Sequence, residues 1–404
     1  MILRAALPHV SRRIATRWLS STATLSSPKG LTIASLGSFP FRWLRDACPC
    51  PECVHPSTRQ KLHASSDIPR DIQPVGPAQF VDDTLTLRWP GHRKDSVYGR
   101  KYLLAYSTPP GTRDMHGDRR LTAKPWTADE LAKEPALYIG YEALKSDDRT
   151  RLKAYEHLAR TGLLFVTDVP HTITSDEECE LRNLASIFGE IRETFYGRTW
   201  DVIAKRGSTN IAYTSLFLGL HMDLQYFAHP PRFQLLHCLR NRVVGGTSLF
   251  LDALSAAERL RKTNPSAFAT LTTVPVPFHY RNAGHHLHHS HPTIELDKFT
   301  GEIAHINYAP PFQAPFPSET PDALYDALGA FVKVLEEEGR TFQYLLREGD
   351  VAVFDNRRVL HAREAFEDPA ETSVEEGQPS RWLKGCYLEA DALLDRARVL
   401  RKKI

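Results

Sequence analysis

No apolar run in this 404-residue chain approaches the length that a membrane-spanning helix needs. The formal net charge is only +3, too small an excess to argue for nucleic acid as a partner. Cysteines are few and do not form a disulfide framework. Cys48, Cys50 and Cys53 crowd one short segment, while Cys179, Cys238 and Cys386 are scattered. No internal repeat is found, which excludes a solenoid. Acidic residues are missing altogether before Asp46, whereas Arg4, Arg12, Arg13 and Arg17 stand among Ser11, Ser20, Ser21, Ser26 and Ser27. An acid-free start rich in Arg and Ser is the composition of a mitochondrial transit peptide. Residues 1–30 are therefore set outside the fold, and a location in the mitochondrial matrix is expected.

The rest is ordinary for a globular protein, 42% hydrophobic and 25% charged, and long enough for a large domain beside a smaller one. A β-rich unit is expected over 31–107. Within it, Thr84-Leu85-Thr86-Leu87-Arg88-Trp89 alternates as a half-buried strand does. A polar stretch with Pro109-Pro110-Gly111 reads as a linker, 108–125, and a second unit covers 126–404. There, Arg149 to Arg160 is an expected helix, and Gly162 to Val166 and Val351 to Phe354 are expected buried strands. Thr320 as cap and Pro321 at the first helical position open another helix, with Leu324, Leu328, Phe331, Val332 and Leu335 on its apolar face. Many short strands and few long helices predict a mainly β fold with flanking helices (α+β), its core a jelly roll.

Two groups of residues carry chemistry. His221-Met222-Asp223 at a strand end, with His361 far downstream, has the pattern of a 2-His-1-carboxylate triad. Such a triad holds one face of Fe(II) and leaves the other open. Arg381, on a strand just after the distal His, is placed to bind a carboxylate bidentately, and the hydroxyls of Gly245-Gly246-Thr247-Ser248 stand ready to assist. Cys48, Cys50 and Cys53 give C-x-C-x2-C, three thiolates able to converge on one Zn(II). Its fourth ligand is left open among His55, His63 and His92. A further tract, His279, His285, His286, His288, His289 and His291, reads as a surface loop or lid.

Taken together, the motifs resemble one family. Trp43-Leu44-Arg45-Asp46 runs into the Cys cluster. Phe195-Tyr196-Gly197-Arg198-Thr199-Trp200, Asn210-Ile211-Ala212-Tyr213-Thr214, His221-x-Asp223, Leu235-Leu236-His237-Cys238, Phe354-Asp355-Asn356 and Val359-Leu360-His361 follow in order. This set is similar to the gamma-butyrobetaine dioxygenase and trimethyllysine dioxygenase family of Fe(II)/2-oxoglutarate oxygenases. The resemblance implies an N-terminal zinc domain and a C-terminal double-stranded β-helix. It implies zinc on Cys48, Cys50, Cys53 and His92, and iron on His221, Asp223 and His361. Arg381 would hold the distal carboxylate of 2-oxoglutarate, helped by Ser248. Tyr196, Trp200, Tyr213 and Tyr387 would form an aromatic cage for a quaternary ammonium, with Asn210 on the substrate carboxylate. It implies O2 and a small molecule as substrates, ascorbate as reductant, and a homodimer.

The chain departs from the family pattern at Pro310-Pro311-Phe312, where a polar stretch is expected. It departs again in the acidic segment between His361 and Arg381, with Glu364, Glu367, Asp368, Glu371, Glu375 and Glu376. Asn210 leans toward gamma-butyrobetaine; Arg363-Glu364, Gly385-Cys386-Tyr387 and the transit peptide lean toward trimethyllysine. The rival classes are a silent binding protein on the same fold and a zinc-dependent nucleic-acid binder. The second lacks a basic stripe with interleaved aromatics near the Cys cluster.

Overall fold

The computed structural model describes residues 24–107, 121–203, 214–298, 300–368 and 379–404, and the chain divides into two compact units, 1–117 and 118–404. The Arg-rich start up to Ala23, most of the expected linker, and Glu371, Glu375 and Glu376 of the acidic segment lie outside the described residues.

In the first unit, β1 (Thr24–Ser27), β2 (Gly30–Ile33) and β3 (Gly37–Pro40) form one sheet, so the end of the segment set outside the fold, from Thr24 to Gly30, is corrected: it pairs with Leu31 and Thr32 as part of the unit. β4 (Gln79–Val81), β5 (Thr84–Leu87) and β6 (Ser96–Gly99) form another. Alternation along β5 turns Leu85 and Leu87 inward to a core with Leu31, Phe39, Leu44 and Trp89. The three clustered cysteines are buried in that same core.

The strands of the second unit are, in chain order, β7 (Tyr138–Gly140), β8 (Leu163–Thr167), β9 (Ile191–Arg192), β10 (Trp200–Ile203), β11 (Leu218–His221), β12 (Phe233–Asn241), β13 (Val244–Gly245), β14 (Ser248–Asp252), β15 (Pro275–Asn282), β16 (His285–Pro292), β17 (Ile294–Leu296), β18 (Ile303–Ile306), β19 (Thr341–Tyr344), β20 (Val351–Asp355), β21 (Val359–Arg363), β22 (Phe366–Glu367) and β23 (Arg381–Leu388). The larger sheet runs β10-β23-β12-β20-β8-β7, with β9 also on β23. The smaller runs β11-β21-β14-β19.

The two-residue side-chain period assigns the faces of the larger sheet. On β20, Val351 and Val353 pack with residues of the helices Asp148–Thr161, Glu180–Phe188 and Ala390–Arg401. Ala352 and Phe354 point the other way. Phe354 meets Phe250 of the smaller sheet edge-on at 5.6 Å, and Phe250 meets Phe165 of β8 at the same distance. The sheets therefore lie face to face, a jelly-roll core with helices outside, as the strand pattern predicted. Strands buried on both faces read as continuous apolar runs, which is why β8 and β20 stand out in the sequence.

The expected helix near Arg149 is Asp148–Thr161, capped by Asp147, which accepts from the backbone N–H groups of Arg149 and Thr150. Gly162 ends it at φ +75°, and a Cβ there would lie 3.1 Å from both Arg358 and Val359. Two further expectations need correction. Pro321 occupies the cap position with an extended ψ of 138°, so the helix is Asp322–Leu335 and Thr320 lies outside it. Its buried face uses Ala327 and Val334 in place of Leu328 and Val332, which are half-buried. The His tract is not a loop. β15 and β16 pair as a hairpin, His279 opposite His288, closed by Ala283 and Gly284 at φ +49° and +80°. Two successive positive φ values are what a tight two-residue hairpin turn demands.

Candidate active site

The site begins with strand register. His221 ends β11 and is the register partner of His361 on β21, which brings the ring centroids to 4.1 Å. Met222 turns into the apolar core, so Asp223 returns to the side of His221. Leu224 then takes φ +59°, a left-handed conformation unusual for a branched residue, and the chain turns away. Asn356, just past β20, clasps Asp223. Its Oδ1 accepts from the Asp223 N–H at 2.8 Å, and its Nδ2 donates to the Asp223 carbonyl at 3.0 Å.

One ligand atom from each of His221, Asp223 and His361 lies within 4.8 Å of the others. His221 Nδ1 is 2.8 Å from the Gly219 carbonyl, which can only accept, so Nδ1 carries the proton and Nε2 offers a lone pair. Nε2 faces Asp223 Oδ1 at 3.6 Å. Asp223 Oδ2 is already engaged, accepting from Gln234 Nε2 at 2.8 Å and from the Tyr387 hydroxyl at 3.0 Å. Two lone-pair donors facing one another call for a cation between them. Burial alone would raise the Asp223 carboxyl, yet its two imidazole neighbours and the hydrogen bond from the Tyr387 hydroxyl hold it below the usual carboxylate range. Burial, then the neighbouring His221, pushes His361 down to about 3. Ionised carboxylate and neutral imidazole are the states that ligate a metal, so the donor set fits Fe(II).

A cavity of about 70 Å³ opens beside these three residues. The smaller sheet lines it with Ser248 and Arg363; the larger lines it with Trp200, Gln234 and Arg381. Arg381 is 4% exposed, its guanidinium lies 5.4 Å from the Phe366 ring, and its Nε has no hydrogen-bond partner among the described residues. Burial, then the charge of Arg363, lowers Arg381 to about 10, which leaves it cationic at neutral pH. A buried cation with an orphaned N–H facing a cavity is suited to a carboxylate. Gly246 at φ +73° makes room for it, since a Cβ there would stand 3.4 Å from Arg381 Nε.

Of the expected aromatic cage, Trp200 lines the cavity. Tyr387 packs on Trp200 at 5.2 Å and gives its hydroxyl to Asp223; Tyr196 lies 6.3 Å from Trp200. Asn210 and Tyr213 lie outside the described residues. Pro310–Phe312 form a single 3-10 turn that sets Phe312 5.4 Å from Tyr226. Reading the sequence did not single out Gln234 or Arg363 for the site, nor Asn356 as the clasp of Asp223. A Gln inside the apolar run Phe233–Leu236 was the available signal for the first, because a buried amide needs a partner.

In the first unit, one ligand atom each from Cys48, Cys50, Cys53 and His92 also lies within 4.8 Å of the others. His92 Nδ1 is 3.7 Å from Cys50 Sγ and 3.9 Å from Cys53 Sγ. Of the three histidines left open, the fold brings His92; His55 is turned to Ser57 and His63 to Arg45. Burial raises the thiols of Cys50 and Cys53, a shift that a bound divalent cation reverses. Three thiols and one imidazole fit tetrahedral Zn(II).

Comparison with known proteins agrees with this geometry. Residues 122–387 match the profile described as Taurine catabolism dioxygenase TauD, TfdA family, and residues 34–104 match Gamma-butyrobetaine hydroxylase-like, N-terminal. The dioxygenase str8 of Strobilurus tenacellus is 52% identical over 365 residues, 90% of this chain and 85% of that protein. Gamma-butyrobetaine dioxygenase of Pseudomonas sp. (strain AK-1) is 34% identical over 95% of this chain and 96% of its own length. Trimethyllysine dioxygenase of Meyerozyma guilliermondii is 29% identical, covering 89% of each.

Proposed function

The chain belongs to the taurine catabolism dioxygenase TauD, TfdA family, and on that premise we propose that it hydroxylates a small trimethylammonium acid, gamma-butyrobetaine first, to give carnitine. The observation that carries this reading is the convergence of His221, Asp223 and His361 on one cavity that also holds the buried Arg381. Bound Fe(II) supplies the redox chemistry: 2-oxoglutarate and O2 become succinate and CO2, and the second oxygen atom enters a substrate C–H bond as hydroxyl.

The chain's own residues do the rest. His221, Asp223 and His361 hold one face of the metal, while Gln234 and Tyr387 occupy Asp223 Oδ2 and so turn Oδ1 to it. Arg381 takes the distal carboxylate of 2-oxoglutarate, with the Ser248 hydroxyl beside it. Trp200, Tyr196, Tyr213 and Tyr387 present π faces to the trimethylammonium group, which has no proton to donate, and Asn210 meets the substrate carboxylate. Cys48, Cys50, Cys53 and His92 hold structural zinc, the first unit is the zinc domain, and the protein is a homodimer. The Arg- and Ser-rich start ahead of Thr24 directs it to the mitochondrial matrix, and ascorbate keeps the iron reduced.

Two other substrates have specific support. Trimethyllysine is favoured by Arg363-Glu364 and Gly385-Cys386-Tyr387. A different small molecule is favoured by Phe312, whose ring packs on Tyr226 where a polar stretch was expected. The test is succinate formation by purified protein with Fe(II), ascorbate and 2-oxoglutarate, each candidate acid supplied separately. Stimulation by gamma-butyrobetaine alone supports the first reading. Stimulation by trimethyllysine alone replaces it with the second. Turnover that depends on His221 but answers to neither acid leaves the third.

A further inference from the structure

Gly385 lies on β23 between two neighbours that line the cavity. It pairs with Trp200 of β10 on one side and with Leu236 of β12 on the other. A Cβ built on Gly385 would stand no more than 2.6 Å from three atoms of the Trp200 ring, Cη2, Cζ2 and Cζ3. The indole therefore lies flat in a notch that only a missing side chain provides.

The indole cannot retreat by moving its strand. Asp201, next in β10, is held by the Trp382 indole N–H at 2.7 Å and by Lys384 Nζ at 2.9 Å, from residues three places and one place before Gly385 on β23. Lys384 is 1% exposed and is fixed a second time by Asp176 at 2.6 Å. Nor can the ring slide along the sheet, because Tyr387 lies 5.2 Å from it and the Tyr387 hydroxyl is bonded to Asp223. With backbone and neighbours fixed, a side chain at 385 leaves the indole one direction, outward into the cavity beside Asp223.

We propose that Gly385 is a specificity-determining residue: it seats Trp200 against the larger sheet and so sets the width of the active-site cavity on the substrate side. The role in specificity rests on the cavity being the substrate site; the seat itself does not. Gly385 touches none of the metal-holding groups and acts through Trp200, as a positioning residue.

The test uses the full chain and three variants, Gly385→Ala, Trp200→Phe and the double variant. The first readout needs no substrate. The packed Trp200–Tyr387 pair contributes a near-UV circular dichroism signal, obtained as the difference between wild type and Trp200→Phe. Gly385→Ala should lose that signal while keeping its far-UV spectrum and its iron content. The second readout uses whichever acid the wild type turns over. Gly385→Ala should raise the KM for that acid by about tenfold to a hundredfold, since the displaced indole takes up room the bound acid needs, while the apparent affinity for 2-oxoglutarate changes much less. The double variant should recover part of the loss relative to Gly385→Ala, because a phenyl ring ends short of the three clashing atoms. An unchanged near-UV signal in Gly385→Ala overturns the seat. A lost signal with unchanged substrate KM overturns the role in specificity. If the wild type accepts neither acid, the substrate reading has failed by itself, and the near-UV result still decides the seat.

Discussion

Asn356 shows how a single side chain can carry a site without touching its chemistry. Its amide satisfies both backbone polar groups of Asp223 and also reaches the Pro231 carbonyl at 3.2 Å. Replacing Asn356 by Ala leaves the Asp223 N–H without its partner in a buried setting, at about 1–3 kcal/mol for a group left unpaired, while the Asp223 carbonyl keeps only Gln225 Nε2 at 3.2 Å. Asn356→Ala should therefore lower the thermal midpoint and weaken iron binding by about tenfold to a hundredfold, measured by anaerobic Fe(II) titration. Arg381 makes a complementary prediction. Arg381→Ala should strongly weaken the apparent affinity for 2-oxoglutarate in steady-state kinetics, and Arg381→Lys should recover little, because an ammonium lacks the planar fork that pairs with a carboxylate. Equal recovery by Lys would mean that charge alone matters there. His221, Asp223 and His361 were legible in the sequence because ligand types at a fixed spacing are local. The clasp by Asn356 and the support by Gln234 were not, because each depends on a partner supplied by register across strands.

At the scale of elements, legibility followed periodicity. The strands β8 and β20 and the helix Asp148–Thr161 were visible because apolar runs and cap residues are local signals. The hairpin β15–β16 was hidden, since its inward positions on β16 are Leu287, His289 and His291. Imidazoles do not register as an apolar face, although His291 is buried and bonded to the Phe227 carbonyl at 2.8 Å. The start of the helix Asp322–Leu335 moved by one residue because proline fixes φ but leaves ψ free. Gly162 joins a helix to the strand behind the site, at a positive φ and with a Cβ position already crowded. Gly162→Ala should destabilise the protein by roughly 1–3 kcal/mol through backbone strain and overpacking, read as a lowered midpoint in denaturant at unchanged slope. An unchanged midpoint would mean that the turn relaxes freely.

For the molecule as a whole, buried histidines set the response to acid. Burial pushes His157 and His237 each down to about 4. Their unfolded value is near 6.5, so the unfolded chain binds more protons between these limits. Their contribution is intact above about pH 6.5 and is lost as pH falls toward 4, on the order of a few kcal/mol in sum. Unfolding free energy followed from pH 7 to 4 should fall over this window, and less steeply in His237→Leu. A slope unchanged by that substitution would contradict the assignment. The Cys cluster was legible from its spacing, whereas its partner His92 was implied only by the family resemblance, because it lies 39 residues beyond Cys53 and reaches the cluster through the fold.

The central claim is that His221, Asp223 and His361 form the iron site of a dioxygenase, separate from the sulfur-rich cluster. It is tested most directly by metal content after anaerobic reconstitution with Fe(II) and Zn(II). Wild type and the His221→Ala/His361→Ala variant would be compared at matched folded fraction. The account predicts one iron and one zinc per chain in the wild type, and zinc alone in the variant. Iron retained by the folded variant, or iron refused by the wild type, would contradict it.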